Sequence, residues 1–290
     1  MGILLGVLTA ISWGGSDFLA RFATRRVGTL RTMLYMQVFG FLLLTFFLHE
    51  LGAWGHLFDG SGWRPWAWGL LGGCLNALAT LALYRSFEIG KMSVVAPLSA
   101  SYPVLTVLLS VLTGERLTLA RVLGIGLTIA GVMLVAGGEK APDENDAEAV
   151  RQSGKSIGLA LAAAVGFGLM MWVLGIRVVD RTGPFAAVWM IRMIGTLVAA
   201  GILWFKKVPV WQPSAKVGWQ VAGMGILDTA AFVMNNRGMQ LEQVAVVSVL
   251  ASLYGAVTVA LAAVFLREHV SKWQWGGIIA IFSGIYLISK

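Results

Sequence analysis

The chain has 290 residues, 58% of them hydrophobic and only 12% charged, with a mean hydropathy of +0.79. A soluble globular domain carries about 25% charged residues, so this balance excludes a soluble fold and points to an integral membrane protein. The net charge is +8, but the basic residues are scattered at segment ends, which suits anionic lipid and lacks the basic patch that nucleic acid requires.

Charge and turn chemistry divide the chain into ten hydrophobic segments, at about 2–22, 29–49, 65–86, 92–113, 118–137, 156–177, 185–205, 216–236, 243–266 and 272–289. Crossing the hydrocarbon core takes about 20 apolar residues, and the segments are of that order. The first lacks a basic n-region and stays apolar past Trp13, so it reads as a span and not as a signal peptide. Its "SWGGSDF" gathers Ser12, Trp13, Ser16 and Asp17 around a Gly14-Gly15 flexion point. Asp17 falls near the end of this segment, which predicts an interfacial, solvated carboxylate. In the third segment Asn76, Thr80 and Tyr84 recur at spacing four and share one helix face. The fourth holds "SVVAPLSASYPVL", whose Ser101 and Tyr102 lie between Pro97 and Pro103, a polar and bendable middle in an otherwise apolar run. Polar residues at that depth face a cavity or a partner helix, though Ser and Gly also serve close helix packing.

Residues 138–155, "GEKAPDENDAEAVRQSGK", hold five of the chain's fourteen acidic residues and read as an exposed, mobile linker. Beyond it, Trp172 lies in the sixth segment, and the seventh places Trp189, Arg192 and Thr196 on one face. Asp228 lies midway along the eighth, and the ninth carries Ser248, Ser252, Tyr254 and Gly255. Nine of the twelve tryptophans cluster at segment ends, as in an aromatic belt. Trp13, Trp172 and Trp189 do not, and could offer stacking faces to an aromatic or apolar solute.

Sliding the second half by 152 residues superposes it on the first. Arg85/Arg237, Tyr102/Tyr254 and Thr106/Thr258 coincide, and after a one-residue slip so do Glu115/Glu268, Gly124/Gly277 and Gly131/Gly284. Asp228 falls on Asn76, and Gly255 on Pro103, which marks Pro97, Pro103 and Gly255 as hinge positions. Five spans is an odd number, so the second copy enters the membrane inverted. The expected fold is therefore an all-α integral membrane protein of ten transmembrane helices, two inverted five-helix repeats (1–137 and 156–290) around a central cavity, with the solute site near mid-membrane. Asp228 could accept a solute's ammonium group, carry a coupling proton, or form an ion pair with Arg192. Arg192 would equally suit a carboxylate.

"GERLTLARVLGIGLTIAGVMLVAG" and its echo "LREHVSKWQWGGIIAIFSGIYLIS" resemble the signature that closes each repeat of the EamA-type drug/metabolite transporters. Glu115-Arg116, Gly124 and Gly131 match it, while the second copy departs with Arg267-Glu268-His269. The resemblance implies a ten-helix carrier of the cell (inner or plasma) membrane that exports amino acids, nucleobases or other metabolites. The aromatic amino acid exporters are the branch we expect. Smaller relatives of that superfamily carry a proton-coupling carboxylate in the first helix, a role that here falls to Asp17 at its own position in the span.

No enzyme, metal or cofactor signature is present: His49, His56 and His269 fall at segment ends without ligand spacing, Cys74 is alone, and no phosphate loop occurs. The expectation is a monomeric secondary transporter, with cavity candidates Trp13, Asn76, Thr80, Tyr84, Ser101, Tyr102, Trp172, Trp189, Arg192, Asp228, Ser252 and Tyr254. A passive channel, or an exporter of nucleobases, sugars or drugs, is the alternative. Fourteen of the 22 Lys and Arg lie on the face opposite the termini; the positive-inside rule puts that face inside, whereas the resemblance puts both termini inside, so orientation stays open.

Overall fold

The computed structural model describes residues 1–290 except 53, 55–56, 59, 61, 138–146, 211–214, 267–270 and 289–290. Among the described residues the chain is helical, without strands. Long apolar runs make this outcome physical: in hydrocarbon each backbone N–H and C=O must be paired within its own segment, which a helix does. Helices α1 (Gly2–Val27), α2 (Thr29–Glu50) and α3 (Arg64–Ile89) each form one span. The fourth span is broken into α4 (Met92–Ser99) and α5 (Pro103–Leu112), and α6 (Leu119–Gly137) follows.

The second half repeats the order. Its first span is α7 (Ala147–Val173), a π-helical turn over Leu174–Val178 and α8 (Val179–Thr182). Then come α9 (Pro184–Phe205), α10 (Ala215–Leu241), the broken pair α11 (Val244–Ala251) and α12 (Tyr254–Phe265), and α13 (Lys272–Ile288). Among the described residues eight spans are long and apolar enough to cross a membrane, and the fifth and tenth carry shorter apolar helices. Several boundaries differ from expectation: the third, sixth and eighth spans run on past 86, 177 and 236 to Ile89, Thr182 and Leu241, and two further differences concern the linker and the first span. The linker predicted over 138–155 is already helical from Ala147, because 147–155 contains good helix formers and no Pro. And α1 runs five residues past the predicted end of the first segment, to a turn at Gly28 with φ +84°. The equivalent turn between α8 and α9 is made by Gly183 with φ +81°, a conformation only glycine adopts without strain.

Both broken spans break in the same register. In the first copy Pro103 lacks an N–H, and the chain crosses Ala100–Tyr102 on tight three-residue turns such as Ser101 N–H to Leu98 O at 3.2 Å. The second copy does so without proline, through Leu253 N–H to Leu250 O at 3.2 Å. Packing is pseudo-symmetric as well. Helix α1 packs on α10 just as α7 packs on α3, α2 crosses α9, and α4 meets α12 as α11 meets α5. Each half therefore completes itself only against the other. Helices α6 and α13 pair at the periphery, where a Cβ on Gly284 would lie 2.2 Å from Thr128 Oγ1. The outward faces expose Leu42, Phe46, Leu108, Leu123, Phe265 and Phe282, an apolar girdle that lipid covers.

The Gly14-Gly15 pair is not a flexion point: α1 is continuous through it. A Cβ on Gly14 would come 2.5 Å from Val257 Cγ1 on α12, and one on its repeat mate Gly166 would come 2.9 Å from Ala79 Cβ on α3. These glycines let helices approach. Gly255 does the same, since a Cβ there would meet Ala100 Cβ at 2.8 Å.

Candidate functional site

The ion pair at the centre explains much of the local sequence. Arg192, near the middle of α9, is fully buried, and its Nη2 bonds Asp228 Oδ2 on α10. Nη1 donates to Gln37 Oε1 at 2.9 Å and contacts Met36 Sδ at 3.2 Å, both on α2, while the guanidinium lies 5.3 Å from the Phe232 ring centroid. A charge at this depth is tolerable only when compensated and hydrogen-bonded. Space for it comes from glycine: a Cβ on Gly40 would lie 2.9 Å from Arg192 Nε, and one on Gly195 would lie 2.3 Å from Gln37 Nε2. Gly40 is the repeat mate of Arg192 at the 152-residue offset. Thus the long side chain of one half occupies what its own counterpart leaves empty.

Beside this pair, between the two halves, lies a narrow cavity of about 40 Å³, space for a few waters. Arg192 and Asp228 reach it from the second half, and Asp17, Asn76, Thr80 and Tyr84 from the first. Trp13, Phe167, Phe232, Tyr102 and Tyr254 give it an aromatic wall. The Trp13 ring packs edge-on against Phe232, with centroids 5.0 Å apart, and against Tyr254 at 6.1 Å. Tyr102 and Tyr254, repeat mates, stack at 6.5 Å with planes 16° apart. Each tyrosine reaches across to the broken helix of the other half: Tyr102 Oη donates to Ser248 O at 2.9 Å, and Tyr254 Oη lies 2.8 Å from Ser99 Oγ. The two helix breaks are in this way bonded to each other at the cavity wall.

Asp17 requires a correction. It is 7% exposed and lines the cavity, where an interfacial carboxylate was expected. The extra turn and more at the end of α1 moves Asp17 from the end of the span to near its middle. No hydrogen bond or ion pair engages its carboxyl among the described residues. Asn76 Oδ1 is likewise buried and without a partner among them.

Of the twelve cavity candidates, Trp13, Asn76, Thr80, Tyr84, Tyr102, Arg192, Asp228 and Tyr254 line the cavity. Four do not. Ser101 turns back to its own helix, donating to Leu98 O at 2.7 Å, and Ser252 does likewise to Val249 O at 2.7 Å; both hydroxyls are spent on carbonyls one turn back. Trp172 Nε1 donates to Thr113 Oγ1 at 3.2 Å near the span end. Trp189 Nε1 donates to Thr45 Oγ1 at 2.9 Å and its ring packs on Trp54 and Phe41. The hinge candidate Pro97 lies inside α4, and Pro103 begins α5. His56, His269 and the Arg267-Glu268 pair lie outside the described residues. Among the described residues no cluster of His, Cys, Asp or Glu could hold a metal ion.

The sequence reading overlooked Gln37, Met36, Phe167, Met171 and Phe232. Gln37 was detectable, as the lone amide in the run "MLYMQVFGFLLL". Phe232 follows Asp228 by one turn, but a phenylalanine in an apolar span gives no signal of its own.

The EamA-like transporter family model matches the chain twice, over residues 1–137 and 154–290. An uncharacterized transporter of Synechocystis sp. is 26% identical over 241 residues, 78% of this chain and 68% of its own. An uncharacterized protein of Methanocaldococcus jannaschii is 29% identical over 135 residues, which is 46% of this chain but 95% of that protein. A solved crystal structure superposes with a TM-score of 0.76 at 19% identity, over 99% of this chain and 95% of the other, and so shares the fold.

Proposed function

The chain belongs to the EamA-like transporter family, and on that premise we propose that its central cavity carries neutral amino acids, aromatic ones foremost, out of the cell by alternating access. Transporters of this family belong to the drug/metabolite transporter superfamily and are multi-pass membrane proteins; residence in the cell (inner or plasma) membrane and a monomeric carrier are part of the proposal. The observation that carries it is the buried Asp17 carboxyl beside an Arg192–Asp228 pair that is already neutral. A second carboxyl at mid-membrane is costly unless it binds a proton or a cation. It therefore serves as the group that exchanges a proton for a solute's ammonium.

In this reading the solute carboxylate competes for the Arg192 guanidinium, whose planar fork suits it. The ammonium faces Asp17 with the Asn76 and Thr80 oxygens, and the side chain packs on Trp13 and Phe232. Entry requires the halves to part, because the present cavity admits only a few waters. The paired breaks in the fourth and ninth spans are where the helices would bend.

Purified protein in liposomes, challenged with labelled amino acids with and without a pH gradient, tests the proposal. Saturable flux accelerated by the gradient is expected, with Asp17→Asn losing the acceleration while retaining exchange. Flux that never saturates and ignores the gradient would establish a passive channel. Saturable flux confined to nucleobases, sugars or drugs would overturn the substrate class.

A further inference from the structure

At the membrane face opposite the termini a groove of about 540 Å³ opens between the start of α2, the end of α3 and the end of α9. Among the described residues its rim carries Arg31, Arg85 and Lys206 with one acid, Glu88, and its floor includes Leu81 and Ile202. Leu81 lies one turn before Arg85, so the apolar floor sits about 6 Å deeper than the cationic rim. The walls are tied together. Thr29 Oγ1 donates to Glu88 Oε2 at 2.6 Å, Arg85 Nη1 pairs with Glu88 Oε1 at 2.8 Å, and Arg31 Nε donates to Pro209 O at 2.8 Å.

The duplication supplies an internal control. A second groove of about 440 Å³ lies at the other membrane face, between the start of α9, the end of α10 and the end of α2. Val233 and Arg237 stand there where Leu81 and Arg85 stand in the first, at the 152-residue offset. Among the described residues its rim is otherwise Leu51, Pro184 and Ala186, which gives one cation where the first groove has three. Shared architecture therefore accounts for the grooves, but not for the charge that one of them has gained.

We propose that the groove of Arg31, Arg85 and Lys206 is a binding site for an anionic phospholipid of the leaflet on that face, its phosphate among the three cations and an acyl chain along Leu81 and Ile202. Basic pockets between span ends hold anionic headgroups in this way, and the depth of floor and rim matches the order of acyl chain and headgroup. The site lies away from the central cavity and does not depend on what that cavity transports.

The test uses the full chain in nanodiscs of phosphatidylcholine with or without phosphatidylglycerol, with retained lipid counted by native mass spectrometry after extraction. Wild-type protein is expected to retain phosphatidylglycerol in preference to phosphatidylcholine. Removing two cations near an anionic headgroup, in Arg85→Gln with Lys206→Gln, should lower that retention by roughly tenfold or more. Arg237→Gln, in the sparsely charged copy, should leave retention unchanged. All three side chains are exposed, and an unchanged melting temperature verifies folding of the variants. Equal retention by the double variant would overturn the site, as would loss of equal size in Arg237→Gln. Soluble glycerol phosphate displacing the lipid at equal concentration would overturn the acyl part of the assignment.

Discussion

Arg192 and Asp228 are each intolerable alone at mid-membrane and acceptable together, and this sets the outcome of their substitution. Asp228→Asn leaves the guanidinium buried without a counter-charge, among neutral partners only, and breaking a buried pair from one side costs about 3–5 kcal/mol. A clear fall in melting temperature in detergent is expected. Arg192→Met combined with Asp228→Leu removes both charges and should recover most of that stability while abolishing transport. If the double variant melts as low as Asp228→Asn, the pair is not the origin of the loss. That Asp228 would meet Arg192 was legible, because two opposite charges in adjacent apolar runs have few other partners. Which of Asp17 and Asp228 would be left over was not. It depends on where α1 ends, and the run "ARFATRRV" mixes helix formers with charges that blur the membrane edge.

Single helices meet their neighbours through glycines, and the two in "SWGGSDF" behave differently. Gly14 faces α12 at a distance a methyl group cannot share, whereas a Cβ on Gly15 meets only the flexible end of Leu227 at 3.3 Å. Gly14→Ala is therefore expected to destabilise by about 1–3 kcal/mol through overpacking. Gly15→Ala should be neutral, or stabilising by up to about 1 kcal/mol from helix propensity. Thermal unfolding of the two variants separates close packing from flexing, since a hinge would be harmed by either change. Apolar run length placed the spans, the Pro97–Pro103 spacing marked the first helix break, and the repeat carried that break to Gly255 in the second copy. The sequence alone could not distinguish a glycine that bends a helix from one that admits a neighbour. It also misassigned Trp172 and Trp189, since exclusion from the aromatic belt does not say which face a ring presents.

The two halves are related by symmetry yet specialised, and the specialisation lies on the axis between them. Helix α1 rests on α10 and α3 on α7, so neither half buries its polar residues unaided. Because half of this chain spans 95% of the Methanocaldococcus jannaschii relative, a unit of about one repeat exists as a separate protein. The repeat and its inversion were readable from the offset and from parity. The central asymmetry was not, because it requires knowing that Arg192 and Gly40 meet across the axis. Opening the chain within residues 138–146 should then be tolerated when both pieces are co-expressed: they are expected to copurify in equal amounts and restore flux. Expressed alone, residues 147–290 hold Arg192 and Asp228 but lack Gln37 and the cavity face of α3, and should aggregate or be degraded. Residues 1–137 carry no buried ion pair, since Gly40 and Asn76 stand in place of Arg192 and Asp228, and their buried Asp17 needs only a proton to lose its charge. That half should therefore survive in the membrane better than its partner, a difference measurable by the yield of each tagged half. Equal yields would show that the interlocked packing, and not the buried pair, decides how each half survives alone.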